Sequence, residues 1–194
     1  MARSALVLAT RNPHKLFELR RLLVCKRIEL EPLAAEIVLP PEDGDTYADN
    51  ALVKARAAAG ATGRAAIADD SGIEVQTLGG APGVRSARYA GPQAGDGENL
   101  AKLVREAPAG SPLRYVCAIA YVDPQIREEQ LFFGECRGRL AQECRGDRGF
   151  GYDPAFLPDE EQRGRTMAEL PDAEKDAISH RGHAARALAR WLIG

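Results

Sequence analysis

Ala66-Ile67-Ala68-Asp69-Asp70-Ser71-Gly72 is the stretch on which the reading of this chain turns. Its apolar start predicts a buried strand over 65–68 that runs into two adjacent carboxylates, then a small hydroxyl residue and a glycine. That places Asp69 and Asp70 at the strand end, within reach of water and ligands. Two unneutralised carboxylates side by side repel each other by about 1 kcal/mol or more even in fairly polar surroundings. A pair at the rim of a core therefore calls for a cation, or has a proton to move. Asp-Asp-Ser-Gly is also good turn chemistry. Turn and metal site both stay open on these residues alone.

Outward from that stretch, strands and helices alternate. Ser4 to Thr10 has a buried-strand pattern, and Asn12 with Pro13 suits the start of a helix. Leu16, Leu19, Leu22 and Leu23 recur at helical spacing, so this helix extends to about Cys25. A strand is predicted over 28–33, then a Pro- and acid-rich loop over 34–45. Thr46 and Asp49 form a capping-box pattern before an Ala-rich helix that ends at Gly63. Ile73 to Leu78 resumes as a short strand, and a loop follows from Gly79 to Gly97. A helix is read over 98–106, and an antiparallel hairpin over 115–122 and 128–136 around Asp123-Pro124. After a glycine loop over 146–154, short helical pieces lead to Ser179 and a helix over 180–192. The pattern is that of an α/β protein with a mixed sheet.

Composition bounds the function classes. The 194 residues suit one domain, or two apposed lobes, with 45% hydrophobic and 28% charged residues and a net charge of −2. Neither a nucleic-acid-coating surface nor a polybasic anchor is present, so no nucleic-acid partner is expected. No apolar run approaches the roughly 20 residues of a membrane span, and no signal peptide is read at the N-terminus. Cys25, Cys117, Cys136 and Cys144 form no C-x-x-C pair, which disfavours zinc and is consistent with reduced thiols in the cytoplasm.

Three clusters carry candidate chemistry. Thr10-Arg11-Asn12-Pro13-His14-Lys15 opens a helix, whose unpaired N–H groups and partial positive charge attract anions, although it lacks the Walker pattern. Glu42, Asp43, Asp45, Asp49, Asp69 and Asp70 supply carboxylate oxygens suited to Mg2+, with Lys54 one turn beyond Asn50. Phe150-Gly151-Tyr152-Asp153 with Lys175, Ser179, His180 and Arg181 offers a stacking ring, donors and an acceptor for an oxo-purine edge. Each has a plain structural reading: a capped helix, a solvated acidic loop, a glycine turn with a basic helix start. Together they offer a phosphate cradle, a metal site and a base pocket, the parts a nucleotide-hydrolysing enzyme needs.

In these motifs the chain resembles the inosine triphosphate pyrophosphatase family, the Ham1-like proteins or bacterial XTP/dITP diphosphatases. The resemblance rests on Leu8 to Asn12 with Lys15, Asn50-Ala51 with Lys54-Ala55, Ala68 to Gly72, and Gly79 to Gly83 with Ser86 to Tyr89. It continues through Gly149 to Pro154 and Lys175 with Ser179-His180-Arg181. It implies an elongated mixed sheet flanked by helices, a single domain over 1–194 of two lobes with a central cleft, and a homodimer. It implies hydrolysis of ITP, dITP and XTP to the monophosphate and pyrophosphate, with Mg2+. Thr10, Arg11, Asn12, Pro13, His14, Lys15 and Lys54 would hold the phosphates, and Ser71 would contact substrate. Asp70 would be general base and Mg2+ ligand, with Glu42 and Asp69 supporting the metal. Phe150, Gly151, Tyr152, Asp153, Lys175, His180 and Arg181 would form the base pocket. Arg11 departs from the pattern, standing where relatives often have a small residue. A Maf-like pyrophosphatase of other base preference, a phosphohydrolase releasing orthophosphate and a non-catalytic nucleotide sensor remain as alternatives.

Overall fold

A computed structural model describes residues 5–24 and 28–194, so Ser4 and Cys25 lie outside the described residues. The strands are β1 (Ala5–Leu8), β2 (Glu29–Pro32), β3 (Ala66–Val75), β4 (Pro112–Asp123), β5 (Glu128–Leu140) and β6 (Phe156–Pro158). The helices are α1 (Pro13–Val24), α2 (Tyr47–Thr62), α3 (Asp96–Glu106), α4 (Asp172–Ile178) and α5 (His180–Ile193). The six strands form one sheet in the order β2-β1-β3-β4-β5-β6. β1 pairs in parallel with β2 and β3, and β5 pairs antiparallel with β6, so the sheet is mixed as expected.

Two boundaries moved, each for a physical reason. No turn interrupts Asp69-Asp70-Ser71-Gly72: β3 is a single ten-residue strand through all four. Turn propensity is a weak, local preference, and here the buried carboxylates have partners on the flanking helices. The hairpin is also longer than its β-rich sequence core, because β4 begins at Pro112 and β5 continues to Leu140. The α2 capping box forms as read: Asp49 N–H donates to Thr46 Oγ1 at 3.1 Å, and that hydroxyl donates to Asp49 Oδ2 at 2.7 Å. Gly63 ends α2 with φ 66°, a left-handed conformation that favours glycine.

The chain divides into two compact units, one of Met1–Asp70, Cys117–Gly134 and Arg181–Gly194, the other of Ser71–Val116 and Glu135–His180. In the first, Leu19 and Leu23 of α1 and Ala184, Leu188 and Ala189 of α5 pack with Leu6, Leu8, Ile67, Cys117 and Ile119. Small side chains at Ala51, Ala55, Ala58 and Ala59 fill the buried face of α2. In the second unit, Ile73, Val75, Leu103, Tyr115, Leu140, Phe156 and Met167 form a separate core. Among the described residues Cys117, Cys136 and Cys144 are free thiols, and no helix is long and apolar enough to cross a membrane.

Candidate functional site

Side chains alternate along a strand, so Asp69 and Asp70 point to opposite faces of β3. Asp69 lies on the side of α1 and α5. Its Oδ2 is 3.2 Å from Lys15 Nζ and accepts from Arg181 Nε and Nη2, also at 3.2 Å each. Arg181 Nη1 donates to Glu18 Oε2 at 2.6 Å. Asp70 lies on the side of α2, where Asn50 Nδ2 donates to its Oδ2 at 2.9 Å; its Oδ1 is 4.0 Å from Lys15 Nζ. Lys54 Nζ donates to Glu42 and to the Asp69 carbonyl oxygen, the latter at 2.7 Å. The Asn50 amide also accepts from Gly44 N–H at 2.8 Å. A Cβ at Gly44 would come within 2.8 Å of that same oxygen, so the loop needs glycine there.

The electrostatics separate the two carboxylates. Lys15, Lys54 and Arg181 face Glu18, Glu42, Asp69 and Asp70 in ion pairs. Burial opposes ionisation of Asp69, yet Lys15, Arg181 and Lys54 outweigh it and hold the carboxyl well below the usual range. Burial pushes Asp70 up; Lys15 and Lys54 counter it, Glu42 adds to it, and the net direction is upward. Asp70 is thus the member of the pair whose ionised form burial disfavours, with Lys15 and Lys54 acting against that. Burial alone would raise Glu42, but Lys54 brings it below its ordinary value.

At the start of α1, Asn12 Oδ1 accepts from the N–H groups of His14 at 2.9 Å and Lys15 at 3.2 Å, while Pro13 occupies the first helical position. The cap therefore satisfies two of the donors available to an anion. Thr10 Oγ1 accepts from Asn12 N–H at 3.2 Å. Arg11 reaches the other way, donating to the carbonyls of Leu33 at 2.9 Å, Ala34 at 2.7 Å and Ile37 at 2.6 Å. Its fork ties the loop that leads to Glu42.

The second unit holds a separate cluster. Asp153 Oδ2 accepts from Lys175 Nζ at 2.6 Å and from Phe150 N–H at 3.0 Å, and its Oδ1 accepts from Tyr115 OH at 3.1 Å. Lys175 Nζ lies 5.4 Å from the centre of the Phe150 ring. Gly149 has φ 71°, and a Cβ there would collide with the Asp153 carboxylate and Lys175. Gly151 N–H donates to Asp96 Oδ2 at 3.0 Å, and Tyr152 OH to the Ser86 carbonyl at 2.7 Å. The glycine loop is thereby fixed at several points, with Tyr152 buried and Phe150 half-buried.

A profile of the Ham1 family matches residues 6–191. The chain belongs to the Ham1 family. It is 49% identical over 195 residues to a protein of Symbiobacterium thermophilum named dITP/XTP pyrophosphatase, covering 99% of this chain and 95% of that protein. It is 46% identical over 198 residues to one of the same name from Cutibacterium acnes, covering 98% and 97%. The structure of a HAM1 protein from Coxiella burnetii superposes with a TM-score of 0.84 at 40% identity, covering 97% of this chain and 98% of that one.

In this Ham1-family chain the expected site residues sort into two groups. Lys15, Lys54, Glu42, Asp69, Asp70 and Arg181 come together in the first unit. Phe150, Asp153 and Lys175 come together in the second, where His180 stacks on Tyr115. Two roles are revised. Arg181 directs its guanidinium to Asp69 and Glu18, because a nearly buried arginine, 2% exposed, needs carboxylates. Arg11 braces loop carbonyls and does not turn its fork toward a phosphate site. Ser71 follows Asp70 in the strand and is half-buried; Thr10 is half-buried and His14 exposed at the α1 start.

The donor set can be tested against Mg2+. Among the described residues no group of three His, Cys, Asp or Glu is placed to hold a metal. Mg2+ keeps several waters and takes one or two carboxylates beside substrate phosphates, so it needs fewer. Asp70, whose buried carboxyl an added cation would help ionise, and Glu42, which faces Lys15 and Lys54 with it, fit such an ion. Asp69 is fully buried, with Oδ2 held by Lys15 and Arg181 and Oδ1 without a hydrogen-bond partner among the described residues. Sequence reasoning missed Glu18, Asp96 and Tyr115. Glu18 had a signal, since it stands three residues beyond Lys15 on the same helix face. Asp96 and Tyr115 had none.

Proposed function

We propose that this chain is a Mg2+-dependent nucleoside triphosphate pyrophosphatase that cuts ITP, dITP and XTP between the α- and β-phosphates. The monophosphate and pyrophosphate would be released, and non-standard purines so removed from the nucleotide pool. The naming of relatives at 46% and 49% identity as dITP/XTP pyrophosphatases supports the substrate class. The observation that carries the chemistry is the inequality of Asp69 and Asp70. One buried carboxylate is held low by Lys15, Arg181 and Lys54; its neighbour, bonded to Asn50 and 4.0 Å from Lys15, is held above its ordinary value by burial.

Asp70 accepts the proton of the attacking water, with Asn50 fixing its Oδ2 so that Oδ1 faces the reaction. Asp70 and Glu42 would hold Mg2+, which supplies positive charge at phosphate oxygens when bound. Lys15 and Lys54 already sit on carboxylates and add positive potential at fixed positions, so little reorganisation accompanies the reaction. Asp69 keeps Lys15 and Arg181 in place. In the second unit, Phe150 offers a ring face to the base, and Lys175 and His180 offer donors to a 6-oxo group. Adenine presents an amino donor at that position, which leaves buried donors mispaired. A cytoplasmic homodimer is part of the same reading, on the resemblance.

The test is direct. The protein is incubated with Mg2+ and each of ITP, XTP, GTP, ATP and dTTP, and the products are identified. IMP with pyrophosphate from ITP is the expected result. IDP with orthophosphate, a preference for dTTP, or tight binding without products would each overturn it.

A further inference from the structure

Tyr115 enters no motif of the sequence, yet it touches both parts of the second cluster. It lies on β4 and is 6% exposed. Its hydroxyl donates to Asp153 Oδ1 at 3.1 Å, while Lys175 and Phe150 N–H take the other oxygen of the same carboxylate. Its ring stacks on His180, with centroids 4.5 Å apart and planes 13° from parallel. It also stacks on Phe156 at 4.5 Å and 20°, and Phe156 is completely buried in the core of this unit.

A tyrosine placed only to fill a core needs one acceptor, and a backbone carbonyl serves, as Ser86 serves Tyr152. Tyr115 instead donates to the carboxylate that also accepts from Lys175. It also sets the plane of the His180 imidazole against an immobile ring. Both donor groups offered to a 6-oxo purine are therefore referenced to one side chain. We infer that Tyr115 is a positioning residue for base recognition, aligning His180 and the Asp153–Lys175 pair. This inference rests on the reading of that cluster as the base pocket.

The experiment compares wild type with Tyr115→Phe and Tyr115→Leu in steady-state hydrolysis of ITP and ATP with Mg2+, alongside thermal unfolding. Tyr115→Phe keeps both stacks and removes one hydrogen bond. Its KM for ITP is expected to rise by about 3- to 10-fold, with kcat changed less than about twofold. The ITP-to-ATP ratio of kcat/KM falls with it, because a loosened donor array loses its advantage for the oxo group. Tyr115→Leu, which also removes the stacks, lowers the ratio further; if it fails to fold, Tyr115→Phe decides alone. A Tyr115→Phe enzyme with lowered Tm but unchanged KM and unchanged ratio makes Tyr115 a core residue only and overturns this inference while leaving the proposed function intact. A wild-type protein inert toward ITP overturns both.

Discussion

Arg181 closes on Asp69 with two donors, Nε and Nη2, each 3.2 Å from the same carboxylate oxygen, across 112 residues of sequence. The pair joins the start of α5 to the middle of β3 inside the first unit. It contributes to the different behaviour of two adjacent aspartates: Asp69 has the guanidinium and Lys15 at 3.2 Å, whereas Asp70 has the Asn50 amide and Lys15 at 4.0 Å.

Removing the Asp69 charge should be costly. Asp69→Asn takes one carboxylate charge from the buried guanidinium, which keeps Glu18, and breaking a buried pair from one side costs about 3–5 kcal/mol. The expected result at pH 7 is a fall in Tm on the order of 10 °C, since 1 kcal/mol corresponds to roughly 2–4 °C in a chain of this size. The pH dependence has a definite sign. The folded carboxyl is below its ordinary value, so its contribution is present above the unfolded pKa and lost as pH falls through the folded one. Wild type should therefore lose stability in acid more steeply than Asp69→Asn. Equal acid profiles in thermal melts would refute this.

Asp70→Asn should do the opposite. The folded carboxyl is raised by burial, so its ionised form is penalised at neutral pH and the penalty disappears in acid. The variant is expected to melt no lower than wild type at pH 7 while losing most turnover. A kcat near that of wild type would remove Asp70 from the role of base.

The same raised carboxyl sets the rate profile. A general base must be deprotonated, so kcat/KM for ITP should fall on the acid side with a midpoint above the ordinary aspartate value of about 3.9. A cation near Asp70 favours its ionised form, so lowering the Mg2+ concentration should move the midpoint upward. A midpoint indifferent to Mg2+ would separate Asp70 from the metal.

Arg11 is expected to act through the loop it braces. Arg11→Ala removes four hydrogen bonds of 2.6–3.3 Å to the carbonyls of Leu33, Ala34, Ala35 and Ile37. Amide exchange over 33–45 should accelerate, with a higher Mg2+ requirement because Glu42 lies on that loop. Arg11→Lys should restore little, since an ammonium lacks the planar fork that reaches several carbonyls. Unchanged exchange would leave the side chain without this function.

In the second unit, Asp153→Asn leaves the Lys175 ammonium without its carboxylate and should cost stability by about 3–5 kcal/mol. Pairing it with Lys175→Met should recover much of that loss, because replacing both members of a buried pair is often neutral. The KM for ITP should stay high in the double variant. Recovery of both together would make the pair purely structural.

Much of this was legible along the chain because it is local. The α2 cap, the Ala-rich helix face, the hairpin and the glycine loop each depend on residues within a few positions of one another. The three clusters were also visible, since their residue types are unusual where they stand. Arg181 was legible as functional but not in its role: its partner Asp69 is remote in sequence, and both Asp69 and Asp153 are carboxylates it would accept. Tyr115 and Asp96 carried no signal, because a tyrosine in a β-rich run or an aspartate in a first helical turn is ordinary.

The α/β pattern, the family motifs and the ionisable residues of the three clusters can all be read along the chain. Tertiary structure decided their charges. Asp69 and Asp70 are chemically identical neighbours, and strand alternation sends them to different faces. Arg181 and Lys15 close on one carboxylate at 3.2 Å, while the other meets Asn50 and stands 4.0 Å from Lys15, so the first is held low and the second high. That difference follows from which helices cover each face of β3.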